Sequence, residues 1–357
     1  MSVHWRRNRS GRGASLVSLA GLAVLTGGAA PRAATERLRV VLADLVPPES
    51  PLAVHDLTLD ARHAALGIEY ARAASPELLR EMAALPATEH LLRHARTFDN
   101  EDAPRESTEA LTRHLASPAD GSPLDAAACS RSLAVFTGPM QDDPRWIGDV
   151  LRYLPADFRF RGALYLTFGY DIGVAEGATA SLNCAHRFFR ESPRELIYYA
   201  VHELHHVGFM SYQPSRPLSK LRTYADLAAF VAWATQMEGM AVWAAEPRRR
   251  AEGALGSDGS ADYLALQDEA RLDRLEDVYF RELDALKARG DATAGSDSFL
   301  ATYEAFAKER LWYRIGARMA RRIEEAEGRP ALVALVREGP QRFLADYRLR
   351  FRRRTTP

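Results

Sequence analysis

The chain is expected to fold as an α+β protein that is predominantly helical, with a small antiparallel sheet and one buried, histidine-rich helix. Three observations lead there. Apolar residues recur at three-to-four spacing from 50 to 155 and again from 192 to the end. Between 160 and 190 the pattern changes to partial alternation, rich in aromatic and small residues. Finally, "SPRELIYYAVHELHHVGFMSY" at 192–212 sets three histidines and a glutamate in a segment that is apolar on nearly all sides.

Residues 1–34 run from a basic start through the apolar stretch Leu16 to Leu25 into small residues, the form of a secretory signal peptide. The apolar run is about half of the roughly 20 residues a membrane span needs, so cleavage and no stable membrane insertion are expected. The protein is therefore expected to be exported, either periplasmic or secreted. The full chain holds 47 basic and 47 acidic residues, and the leader carries five arginines and no acid, so its removal leaves a mildly acidic protein. That balance offers no electrostatic footprint for nucleic acid. Cys129 and Cys184 are the only two cysteines. An oxidising compartment favours a bridge between them, while two buried thiols stay open because sequence does not supply the Cα separation.

Residues 35–158 read as an N-terminal helical region and 159–357 as a catalytic region. In the first, "DARHAALGIEYARAA", "SPELLREMAALPATEHLLRHARTF", "RESTEALTRHLAS" and "DPRWIGDVLRYL" have helical periodicity. His90 and His94 are four apart there but lack acidic or aromatic context, and read as ordinary helix surface. In the second, "RGALYLTFGYDIGV" and "ATASLNCAHRFF", separated by the turn-like "AEG", read as an antiparallel pair of strands.

"SPRE" opens the next helix, with Ser192 as N-cap, Pro193 in the first turn and Glu195 completing a capping box. A step of four residues puts His202 and His206 one above the other, with Glu203 on the flank. That is the geometry of H-E-x-x-H, in which two imidazoles bind zinc and the glutamate addresses a water. His205 points about 100° away from His206 and is expected not to be a ligand. A catalytic site needs a third protein ligand. The positions a metzincin would use hold Phe209 and Tyr212, which excludes that form. Glu238 lies in the apolar helix "TYADLAAFVAWATQMEGMAVWAAEP", where an ionised carboxylate needs a partner that a metal ion would supply. The residues sharing its face, Val231, Ala234, Thr235, Ala241, Val242 and Ala245, are small enough for a close helix contact. A Glu238 paired with an arginine or held protonated is the competing reading, and Glu246 is an alternative ligand.

"HELHH" followed 32 positions later by "EGMA" resembles the gluzincin class of zinc metallopeptidases, and more narrowly is similar to a bacterial family of zinc-dependent peptidases of unknown substrate. "YDIGVAEGATASLN" and "YRIGARMARRIEEAEGRPALVALVREGPQRFLADY" extend the likeness over about 160–348. The resemblance implies a zincin-like fold whose antiparallel edge strand pairs with an extended peptide. Ala180 to Asn183 fits that strand, with Asn183 as a substrate contact. Val242 stands where thermolysin-like members carry an aspartate that orients a histidine, so that support must come from elsewhere.

The expected chemistry is peptide hydrolysis with His202, His206 and Glu238 on Zn2+ and Glu203 as general base. Tyr313 is the candidate for stabilising the developing oxyanion, with His205 second. The partner is then a peptide or protein substrate. Two other classes remain. Glu203 and His206 also spell E-x-x-H of di-iron carboxylate bundles, although the second such motif is missing. A non-enzymatic, metal-stabilised envelope protein is the other.

Overall fold

The computed structural model describes residues 35–41, 54–98, 107–116, 125–215 and 218–352. The leader expected at 1–34 lies outside them. The strands are β1 (Thr35–Val41), β2 (Val54–Asp60), β3 (Arg161–Thr167), β4 (Gly173–Glu176) and β5 (Thr179–Asn183). The helices before β3 are α1 (Arg62–Ala73), α2 (Pro76–Ala83), α3 (Pro86–Phe98), α4 (Ser107–Ala116), α5 (Ala126–Thr137), α6 (Pro139–Asp142) and α7 (Trp146–Leu151). Those after β5 are α8 (Arg187–Glu191), α9 (Glu195–Tyr212), α10 (Tyr224–Ala251), α11 (Ala261–Ala265), α12 (Glu269–Arg289), α13 (Ser296–Ala307), α14 (Leu311–Glu327), α15 (Arg329–Glu338) and α16 (Pro340–Phe351). The fold is α+β and mostly helical, as expected.

The sheet is mixed, not purely antiparallel. Its order is β1-β2-β3-β5-β4, with β2/β3 and β3/β5 parallel and β1/β2 and β4/β5 antiparallel. "RGALYLTFGYDIGV" is two strands, because Gly169 (φ 91°) and Tyr170 (φ 71°) turn the chain between them. Asn183 braces that turn: its Oδ1 accepts from the Gly169 and Ala185 N–H groups at 2.8 and 2.9 Å, and its Nδ2 donates to the Tyr170 carbonyl at 3.2 Å. The chain thus reaches the outer β4 first and returns as β5 between β4 and β3. "AEG" is the β4–β5 turn, with Gly177 at φ 59°.

The stretch read as an N-terminal helical region also supplies strands β1 and β2. In β2, Leu57 and Leu59 alternate with polar residues and are fully buried. Their short alternating run had been masked by the helical periodicity that follows it. Cys129 of α5 and Cys184, just past β5, form a disulfide with a Cα separation of 4.9 Å. His90 and His94 are buried rather than on a helix surface. Packed on the hairpin, His90 has Nδ1 2.8 Å from Thr179 Oγ1 and Nε2 3.1 Å from Ser181 Oγ, and His94 Nδ1 is 3.0 Å from Tyr170 Oη.

Two more histidines pin the parallel β2/β3 pair. His55 Nδ1 accepts the Phe160 N–H at 3.4 Å, and His63 Nδ1 accepts the Phe168 N–H at 3.0 Å. Burial holds both imidazoles down, to about 4 in each case, with Arg159 adding to the effect at His55. Protonation would set a ring N–H against a backbone N–H. Because the folded pKa values lie below the unfolded value, this contribution is present above pH 6.5 and lost as pH falls toward 4. Each histidine costs about 1.4 kcal/mol per pH unit below 6.5. Denaturant unfolding at pH 7.5 and pH 5 is expected to show a loss of roughly 4 kcal/mol from this pair. Equal stabilities at the two pH values would contradict the assignment.

Candidate metal centre

Helix α9 carries the motif beneath the sheet, packed on β4 and β5. The capping box expected at its start is not formed. The helix begins at Glu195, after a turn closed by the Glu195 N–H and the Ser192 carbonyl. The Glu195 carboxylate instead pairs with the fully buried Arg249, whose guanidinium lies 4.4 Å from the ring centroids of both Tyr198 and Tyr263. A bidentate, charge-assisted pair outweighs a single cap hydrogen bond. Helix α10 does start with a capping box, between Thr223 and Asp226. It then runs through Pro247, so Glu246 is not at a helix end; it accepts from Arg250 Nε at 2.7 Å.

The structure brings His202, His206 and Glu238 together, their ligand atoms all within 4.8 Å of one another and all three side chains buried. Nε2 of each imidazole lies 3.1 Å from the same Glu238 oxygen, Oε2. Only the His202 contact has hydrogen-bond geometry; among the described residues His206 Nε2 is buried with no hydrogen-bond partner. Burial and then the charge of His206 lower the His202 pKa, keeping a ring lone pair available. Three donors aimed at one point, one of them unsatisfied, fit a divalent cation of the zinc type. His206 Nδ1 is also without a hydrogen-bond partner among the described residues.

His205 lies outside this group. It is fully buried and held neutral, its pKa pushed down to about 3 first by burial and then by His206 and His202. His202→Ala and His206→Ala are expected to lose most bound zinc, while His205→Ala stays near stoichiometric by metal analysis. Equal losses from all three would overturn the ligand set.

Glu203 is 3 % exposed, and among the described residues its Oε2 is buried without a hydrogen-bond partner. Its carboxylate lies against the backbone of β4: a Cβ placed on Gly173 would sit 2.6 Å from Glu203 Oε1. The edge strand above the helix is therefore β4, not Ala180–Asn183. Strand β5 is paired on both sides, and Asn183 spends its side chain on the turn, which removes it as a substrate contact.

Tyr313, on α14, is buried, its ring stacked on His202 at 6.3 Å between centroids and 15° between planes. Burial and then the Glu238 charge raise its pKa well above the phenol range, so it keeps its proton. Helices α10 and α14 meet backbone to backbone here. A Cβ on Gly239 would lie 2.1 Å from the Gly316 carbonyl carbon, and one on Gly316 would lie 2.2 Å from the Thr235 carbonyl oxygen.

Two further residues at the site were not foreseen. Asp171, in the turn before β4, has its carboxyl pushed up to about 7 by burial, with the Glu203 charge adding to it. Arg310 lies over the Tyr313 ring at 3.7 Å. "YDIG" and a positively charged residue three before Tyr313 were visible as letters, but nothing local tied them to the histidines. Among the described residues no other group of three potential ligands occurs, so the second cluster a di-iron site would need is not found there. No described helix is long and apolar enough to cross a membrane.

The family model described as "Putative zinc dependent peptidase (DUF5700)" matches residues 145–349, more than half of the chain. The chain belongs to this family. The matched span begins just before α7 and closes within α16, so it takes in β3 to β5 and every residue of the ligand cluster. No curated protein and no solved structure matched the chain.

Proposed function

We propose that this protein is an exported zinc-dependent peptide hydrolase in which His202, His206 and Glu238 hold the metal and Glu203 acts as general base. The observation that carries the reading is the convergence of three buried donors on neighbouring helices with a fourth buried group, Glu203, whose Oε2 has no hydrogen-bond partner among the described residues. Zinc bound there would polarise a scissile carbonyl and lower the pKa of a water toward ~7. Glu203 would then serve as the base for that water and return the proton to the leaving amine. The neutral Tyr313 phenol is the candidate hydrogen-bond donor to the developing oxyanion. The open side of β4 is the candidate rail for an extended peptide, with Gly173 keeping the strand close to Glu203. Screening the purified, zinc-loaded protein against a peptide library tests this; complete inactivity would favour a metal-stabilised envelope protein instead. Export rests on the leader pattern at 1–34. Sequencing of protein recovered from periplasm or medium is expected to begin between about residues 31 and 36, whereas intact Met1 on membrane-bound protein would contradict export.

A further inference from the structure

Arg310 precedes α14 in a left-handed backbone conformation, φ 51° and ψ 46°. Residues with a Cβ avoid that region, and such outliers concentrate where a side chain must be aimed. Here the conformation lays the guanidinium over Tyr313, 3.7 Å from the ring centroid, and Tyr313 is itself stacked on His202. One aromatic ring separates this cation from the ligand cluster.

Its charge is only partly compensated. Arg310 Nε donates to Asp262 Oδ2 at 2.6 Å, but Asp262 Oδ1 accepts from Arg314 Nε at 3.0 Å, so two guanidiniums share one carboxylate. Glu309 lies 3.5 Å from Arg314 and is bonded to Arg271 at 3.0 Å. Three arginines thus meet two acids. Among the described residues neither Nη atom of Arg310 has a hydrogen-bond partner, and 41 % of the side chain is exposed. The Asp171 carboxyl feels both charges, Glu203 raising its pKa and Arg310 lowering it. The cation therefore shares Tyr313 with His202 of the candidate ligand cluster.

A guanidinium held at Nε, with its Nη pair open, presents two parallel donors of the spacing a carboxylate accepts. We propose that Arg310 binds a carboxylate of the substrate close to the scissile bond, supplied by a free C-terminus or by an Asp or Glu side chain. The inference rests on the peptidase reading and narrows its substrate class.

The test uses a peptide that the zinc-loaded full chain cleaves, prepared in matched pairs: free against amidated C-terminus, and Glu against Gln near the cleaved bond. Wild-type protein is expected to prefer the carboxylate member of one pair by about tenfold or more in kcat/KM, the scale of a hydrogen bond to a charged group. The pair that shows the preference identifies the source of the carboxylate. In Arg310→Gln the ratio is expected to fall to near one, with Arg310→Lys restoring part of it. Titration calorimetry of the metal-free chain with the same peptides is expected to show the same loss of preference. Cleavage with no preference in either pair, or a preference unchanged in Arg310→Gln, overturns the Arg310 assignment alone. Absence of any cleavage overturns the hydrolase reading and this one with it.

Discussion

Glu203→Gln is expected to bind one zinc per chain and to fold normally, yet to lose roughly 10²-fold or more in peptide turnover. The change removes basicity and leaves shape. Among the described residues Glu203 Oε2 is buried without a hydrogen-bond partner, so none is lost there with the charge. Its side chain fills the space that the missing Gly173 side chain leaves against β4, and glutamine fills the same space. A buried unpaired carboxylate oxygen costs stability, so the variant is expected to unfold at the same temperature or a slightly higher one. The checks are metal content, a melting curve and steady-state kinetics on one preparation. Loss of zinc in this variant would make Glu203 a ligand and reopen the E-x-x-H alternative.

Gly239→Ala is expected to destabilise the protein by about 3 kcal/mol or more, although glycine to alanine within a helix ordinarily gains up to about 1 kcal/mol. The sign reverses because the three nearest atoms are all backbone: the Gly316 carbonyl carbon at 2.1 Å, the Gly316 Cα at 2.3 Å and the Ala317 nitrogen at 2.6 Å. No side chain can rotate away, so α14 must move off α10. Glu238 sits next to this crossing and Tyr313 one turn before Gly316, so the displacement also draws the phenol and Arg310 away from the ligands. A melting temperature lower by roughly 6–12 °C, with turnover reduced even in the folded fraction, is the expected readout. A variant as stable and active as the parent would mean that the two helices do not cross at these glycines.

The candidate ligand cluster was legible because it is mostly local. His202, Glu203 and His206 lie on one helix, and helical spacing fixes their relation without tertiary knowledge. Glu238 could be inferred because a carboxylate amid Trp233, Met237, Met240 and small residues had to meet a partner. The sheet was less legible. A parallel β3/β5 pair with β4 outside depends on the turn at Gly169 and Tyr170, and on Asn183 closing it from 14 residues away for Gly169. The short alternation at 55–60 runs straight into α1, and its pairing with β3 joins residues more than a hundred apart. Glu195 followed capping rules in the sequence, yet tertiary structure gave it to Arg249, 54 positions on. Arg310 joins the site only through Tyr313, whose stacking on His202 is a tertiary contact that no local pattern encodes.

Zinc K-edge absorption on the full chain, purified without added metal, tests the central claim most directly. The account predicts about one zinc per chain, with two imidazole nitrogens at roughly 2.0–2.1 Å and a carboxylate oxygen at roughly 2.0–2.2 Å. A zinc-free protein, or zinc without a two-imidazole signature, would contradict it.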